Sequence, residues 1–261
     1  DDKKPSWEPE AGIWAPDINY INGKYVMYYS LSKWGGGATC GIGVSVSDKP
    51  EGPFTDQGKL FRSNEIDVHN SIDPFYIEDN GKKYLFWGSW YGIWGIELTE
   101  DGLGLKGGIE NAKATKIQVA ANTGGTNAYE GSYILKRGKY YYLFCSTGTC
   151  CDGANSTYQT VVCRSTELFG PYLNKSGDNM NDNKHEVLIH RNDAFLGHNA
   201  EIVQDDEGKD WIIYHAYRTA DPSLGRVVLL DRVYWDDDDW PYLVGDGPVV
   251  KAEAPTFKKS K

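Results

Sequence analysis

One hairpin is written four times along this chain, and that repeat limits the folds open to it more than any other feature. The first copy runs from Trp14-Ala15-Pro16-Asp17 through Asn22-Gly23 to Tyr28-Tyr29-Ser30. The second runs from Ile72-Asp73-Pro74 through Asn80-Gly81 to Trp87-Gly88-Ser89. The third runs from Tyr129-Glu130-Gly131 through Gly138 to Phe144-Cys145-Ser146, and the fourth from Gly197-His198-Asn199 through Gly208 to Ile213-Tyr214-His215. Each copy has a polar opener, a short alternating strand, a glycine turn and an aromatic strand. Asn22-Gly23 and Asn80-Gly81 are strong hairpin signals because both residues tolerate positive φ.

A third strand follows the aromatic one, as in 41–47 and 157–164, and turn signals such as Glu51-Gly52-Pro53 and Phe169-Gly170-Pro171 lead to a fourth. Four antiparallel strands per unit make a propeller blade. The chain therefore reads as an all-β single domain over 1–261, a β-propeller with about four blades at roughly 11–62, 66–110, 128–175 and 196–250. The 9 Trp, 18 Tyr, 8 Phe and 30 Gly agree with short strands and tight turns. The first strand of a blade lines the central channel, so the openers Asp17, Asp73, Glu130 and His198 are expected to converge there.

Carboxylates gathered round a channel suggest acid–base chemistry. One carboxyl can protonate a leaving oxygen while another activates water, as in glycoside hydrolysis. Crowding raises the pKa of at least one of them. Glu130 has the longer reach and small neighbours in Gly131-Ser132, which makes it the acid candidate, and Asp73 is placed to orient and tune it. Trp14 and Trp90 neighbour channel-end motifs and are candidates for stacking on sugar, ahead of Trp34, Tyr91 and Trp94. Asp17, Asn70, Asn155 and Ser156 are candidate polar contacts to substrate.

The net charge of −10 argues against a polyanionic partner such as nucleic acid, for which no basic stripe is supplied, and suits a neutral substrate. No apolar run approaches the roughly 18 to 20 residues of a membrane span. Asp1-Asp2-Lys3-Lys4 carries no signal-peptide pattern, so either a leader was removed or the sequence starts partway along a longer protein. The five cysteines, Cys40, Cys145, Cys150, Cys151 and Cys163, are odd in number and lack zinc spacing, which favours buried free thiols over a disulfide framework. The run Asp236–Asp239 reads as a solvated turn.

Five ordered motifs carry a resemblance over nearly the whole chain. They are Trp14-Ala-Pro-Asp17, Asn70-Ser-Ile-Asp73-Pro74, Glu130-Gly-Ser-Tyr133, Cys150-Cys-Asp-Gly-Ala-Asn155-Ser156-Thr-Tyr158 and Gly197-His198-Asn199. Together they resemble glycoside hydrolase family 43, and within it the endo-1,5-α-L-arabinanases. The Asn155-Ser-Thr-Tyr158 and Gly-His-Asn elements lean towards arabinanases over xylosidases, while Gly131-Ser132 stands where arabinanases often carry Ala-Pro.

The resemblance implies a five-bladed propeller and an inverting mechanism on plant cell-wall arabinan or arabino-oligosaccharides. It gives Glu130 the general acid's place, Asp73 that of the residue that raises the acid's pKa, and His198 a place beside a bound metal, usually calcium. It also implies a secreted, periplasmic or cell-surface protein. The family's general base is an Asp on the innermost strand of a first blade. Residues 1–13 are too few for such a blade, so the base and the blade are expected from another polypeptide or from sequence beyond these residues. An exo-acting α-L-arabinofuranosidase or β-xylosidase and a non-catalytic glycan-binding propeller are the alternative functions.

Overall fold

A computed structural model of the chain describes residues 4–121, 129–192, 195–245, 247–249 and 251–258, without the side chains of 195–200. It consists of four antiparallel four-stranded sheets, each with its strands in sequence order. The first holds β1 (Gly12–Ile21), β2 (Lys24–Ser32), β3 (Gly41–Ser47) and β4 (Thr55–Arg62). The second holds β5 (Phe75–Asp79), β6 (Lys82–Trp87), β7 (Ile93–Glu97) and β8 (Ile117–Ala120). The third holds β9 (Glu130–Arg137), β10 (Tyr140–Thr147), β11 (Gln159–Ser165) and β12 (Glu186–Ile189). The fourth holds β13 (Phe195–Gln204), β14 (Asp210–Arg218), β15 (Arg226–Trp235) and β16 (Pro241–Tyr242).

The expected four-blade arrangement is therefore present, with two boundaries corrected. The fourth strand of blade 2 lies beyond residue 110, because a helix over Gly108–Thr115 intervenes before β8. The fourth strand of blade 3 lies beyond residue 175, after the loop that carries Leu173 and Asn179. The hairpin signals act as the sequence indicates: Asn22-Gly23 and Asn80-Gly81 adopt φ of 50° and 85°, and of 52° and 73°. Two successive left-handed residues match the twist of the flanking strands.

Three apolar cores join consecutive blades. Tyr28, Ile42 and Val44 of blade 1 pack with Tyr76, Leu85 and Trp87 of blade 2. Phe86 and Ile93 of blade 2 pack with Ile134, Leu143 and Val161 of blade 3. Tyr142, Phe144 and Val162 of blade 3 pack with Ile212, Tyr214 and Val233 of blade 4. Among the described residues, no such core joins blade 4 back to blade 1.

The two outer flanks differ from these cores. On the face of blade 1 turned away from blade 2, only Trp7, Ala11, Met27, Tyr29 and Leu31 gather among the described residues. The same face leaves Ile13, Ile18 and Tyr20 exposed, since they pair with Leu31, Met27 and Tyr25. On blade 4, Val228 pairs with His215, on the face opposite the core, and is 77% exposed.

Cys40, Cys145 and Cys163 are buried free thiols, as the sequence suggested. Cys150 and Cys151 depart from that expectation: they are joined to each other by a disulfide. No helix among the described residues is long and apolar enough to cross a membrane.

Candidate active site

Glu130 opens β9 and pairs with Ser146 across the hairpin. It is 92% shielded from water, with 8% exposure. Its Oε2 accepts two hydrogen bonds from blade 2, from Ser89 Oγ at 2.8 Å and from Trp90 Nε1 at 3.0 Å. Both donors converge on one oxygen, which leaves Oε1 as the oxygen to carry a proton.

Asp73 lies beside it. Its carboxylate accepts the backbone N–H of Gly131, the residue after Glu130. Its own N–H donates to Ser30 Oγ of blade 1 at 3.0 Å. Burial raises the Asp73 pKa. Burial raises Glu130 further above the usual carboxylate range, the negative charge of Asp73 adds to the rise, and the bonds from Ser89 and Trp90 oppose it. Two nearby carboxylates resist ionising together, so the pair favours one charge and one proton. The group with the extra cause, Glu130, keeps the proton.

The backbone around this pair turns through positive φ, which Asn and Asp tolerate and a tryptophan does not. Asn70, Asp73 and Trp90 have φ of 52°, 59° and 68°. Non-glycine residues in that region cost about 1 kcal/mol or more each and concentrate at functional sites. Trp90 nonetheless leaves 53% of its surface exposed while its indole N–H holds Glu130. An exposed ring anchored to a buried acid can stack on a sugar face.

The other residues singled out in the sequence divide in two. Trp14 is half-buried on β1, paired with Ser30. Asn155 is exposed in the short 3₁₀ turn Gly153–Asn155. Asn70 is half-buried and committed: its Nδ2 donates to Ser89 O at 3.3 Å, and its Oδ1 accepts the Cys40 thiol at 3.7 Å. Ser156 is buried, and its Oγ accepts the N–H of Asp152 at 3.0 Å, so its hydroxyl closes a loop. Trp94 donates its indole N–H to Tyr91 O and lies under Lys116. Asp236 caps its own turn by accepting the N–H groups of Asp238 and Trp240, which suits a solvated turn.

Asp17 departs from the expected ring of openers. A bulge between Trp14 and Asp17 sets Trp14 opposite Ser30 and Asp17 opposite Tyr28. Corresponding bulges set Glu130 opposite Ser146 and His198 opposite His215, with Tyr133 and Glu201 one step inward. Trp14 thus occupies the level of Glu130 and His198, and Asp17 the level of Tyr133 and Glu201. Asp17 Oδ2 accepts the N–H of Tyr76 at 2.6 Å and Asn19 Nδ2 at 2.9 Å, tying blade 1 to blade 2. Its pKa is pushed up to about 6, by burial first and by the charge of Glu201 in lesser part, against those two bonds. His198 lies on β13, but its side chain is outside the described residues.

Sequence reasoning missed Ser30, Ser89 and Glu201. The signal for the serines was present. Each stands at the end of the aromatic run in its repeat, and each touches the opener of the next blade: Ser30 reaches Asp73 and Ser89 reaches Glu130.

A propeller that sets two buried carboxyls side by side, one raised partly by the charge of the other, next to an exposed tryptophan has parts of an acid–base glycoside hydrolase. The family model of glycosyl hydrolases family 43 matches residues 1–241, and the chain belongs to that family. It is 34% identical over 258 residues to the extracellular exo-alpha-(1->5)-L-arabinofuranosidase of Cellvibrio japonicus, covering 91% of this chain and 73% of that protein. It is 34% identical over 230 residues to an extracellular endo-alpha-(1->5)-L-arabinanase of Bacillus subtilis, covering 87% of this chain and 68% of that one. The solved alpha-L-arabinanase of Cellvibrio cellulosa complexed with arabinohexaose matches with a TM-score of 0.81 at 32% identity, over 93% of this chain and 82% of that chain.

Proposed function

We propose that this protein hydrolyses α-1,5-linked arabinan by an inverting mechanism, with Glu130 as general acid and Asp73 as the residue that holds and tunes it. The observation that carries this reading is the pairing of the two carboxyls in one buried site, with Ser89 and Trp90 fixing one oxygen of Glu130. The proton on the free oxygen passes to the leaving glycosidic oxygen as the bond breaks. Asp73 stays ionised and stabilises the protonated acid beforehand. The names of the relatives in Cellvibrio and Bacillus support arabinan as the polymer, and their designation as extracellular supports secretion. They include both exo- and endo-acting enzymes, and early products separate the two: oligosaccharides for endo cleavage, small products alone for exo.

Inversion also requires a carboxylate base across the sugar, about 6.5 to 9.5 Å from the acid. We propose that a further blade, from another polypeptide or from sequence beyond these residues, packs against the open flanks of blades 1 and 4 and brings this base. The exposed Ile13, Ile18, Tyr20 and Val228 support that reading, because an exposed apolar flank favours a partner. A calcium ion beside His198 is proposed as a further part of the site. The family resemblance gives such an ion largely water for its remaining ligands, and among the described residues no three His, Cys, Asp or Glu side chains form a metal cage. A chelator should lower the Tm if the ion is structural; an unchanged Tm speaks against it.

The test of the acid is Glu130→Gln in the ring-complete protein, assayed on linear α-1,5-arabinan. Turnover should fall by about 100-fold or more. Turnover equal to wild type would remove Glu130 from the mechanism.

A further inference from the structure

The loop between β10 and β11 is built as a closed unit. At its neck, Thr149 N donates to Thr157 Oγ1 at 2.9 Å and Thr157 N donates to Thr149 O at 3.1 Å. The two threonine hydroxyls are 3.0 Å apart. Within it come the Cys150–Cys151 disulfide, the 3₁₀ turn ending at Asn155 and the inward hydroxyl of Ser156. Cys151, Ser156 and Tyr158 face His215, Ala216 and Tyr217 of β14, with Arg226 of β15, across a small cavity. The loop therefore bridges the blade that carries the acid to the blade that carries His198.

Its place in the chain ties it to the site. Ser146 pairs with Glu130, and Cys150 comes four residues later. Even fully extended, four residues reach at most about 15 Å, so the disulfide follows the end of β10 that pairs with Glu130 and lies within that reach of it. Cys151 and Asn155 are both exposed there.

A disulfide between neighbouring residues closes almost no chain. It removes next to no loop-closure entropy from the unfolded state, so it cannot serve as a staple of the fold. Its effect is local, fixing the peptide and both side chains at the loop tip. We propose that Cys150–Cys151 is a positioning element for the glycan: it pre-shapes this loop as a wall of the substrate cleft and presents Asn155 to the bound oligosaccharide. The inference rests on the arabinan reading. A flexible tip must be ordered on binding, whereas a tip already locked by the disulfide is not, and that saving appears as affinity.

Reduction opens the wall. A dithiol attacks one sulfur as its thiolate, forms a mixed disulfide and closes on itself. Two electrons and two protons pass to the protein, giving thiols at Cys150 and Cys151, and the dithiol leaves as a cyclic disulfide.

The experiment measures arabinohexaose binding to the folded protein by titration calorimetry, in the oxidised form, after dithiothreitol and after reoxidation. The Cys150→Ser/Cys151→Ser variant is measured alongside, with the Tm of each form. Reduction and the double substitution should each weaken binding by about tenfold, and reoxidation should restore it. The Tm should change by about 2 °C or less, since the ring adds little to global stability. Native thiol titration should find no reactive cysteine before reduction and two after it, because Cys40, Cys145 and Cys163 are buried. Equal affinity in oxidised and reduced protein overturns the inference alone. So do two reactive thiols before reduction, or a fall in Tm that parallels the loss of binding. Absence of binding in every form overturns the arabinan reading, and the inference with it.

Discussion

Two sets of buried acids in one channel illustrate the difference between a carboxylate that does chemistry and one that holds blades together. Glu130 and Asp17 both have raised pKa values, and in both burial is the largest cause. Their partners differ. Glu130 is held by two side-chain donors on one oxygen, next to an exposed tryptophan and a second carboxyl that helps keep it protonated. Asp17 is held by the backbone N–H of Tyr76 and by Asn19, which suits a latch between blades. A high pKa alone marks neither role; the source of the hydrogen bonds and the access for a ligand separate them.

The largest effect that would break this contrast is at Asp73. Asp73→Asn should cost about 100-fold in cleavage of linear arabinan by the ring-complete protein, because the acid loses the charge that keeps it protonated. The alkaline limb of kcat/KM should move to lower pH. The sign follows from the acid's role. Glu130 must carry a proton, so activity falls as pH rises through its raised pKa, and removing a neighbouring negative charge lowers that pKa. An unmoved limb in Asp73→Asn would separate the two carboxyls.

At the lower tier the effect should appear in stability. A carboxyl whose folded pKa lies above its unfolded one stabilises the fold most below the unfolded value, and that contribution is lost as pH rises through the folded value. For Asp17 the window runs from 3.8 to about 6, and the loss is at most about 3 kcal/mol. Asp17→Asn keeps an oxygen for the Tyr76 N–H and cannot ionise. Denaturant unfolding from pH 4 to pH 7 should therefore show wild type losing stability relative to Asp17→Asn; parallel curves would place Asp17 outside the latch.

The smallest effect concerns the brace. Ser89→Ala removes a bond that favours the ionised form of Glu130, so the alkaline limb should move to higher pH, with a change in turnover of about tenfold or less. A shift to lower pH would contradict the assigned direction of that bond.

Much of this fold was legible in the sequence because a propeller repeats its instructions. The Asn-Gly turns and aromatic strands gave four blades, and the polar openers pointed to Asp73 and Glu130 as neighbours. Asp17 was misplaced by one step, because a bulge changes which residue faces its partner without leaving a mark in the repeat. The bracing serines were visible at the end of the aromatic run in each repeat, but their partners sit on the next blade, and only packing reveals that contact. The helix over Gly108–Thr115 interrupts blade 2 between its third and fourth strands, which the repeat alone does not indicate. The bond between Cys150 and Cys151 depends on local loop geometry that spacing rules for cysteines do not reach.

The central claim, that Glu130 is a protonated acid kept so partly by Asp73, can be read directly by carbon-13 NMR titration of the Glu130 carboxyl in wild type and in Asp73→Asn. The account predicts that Glu130 titrates well above the ordinary glutamate range in wild type and at a lower pH in the variant. A Glu130 that titrates as an ordinary carboxyl in wild type, or at the same pH in both proteins, would contradict it.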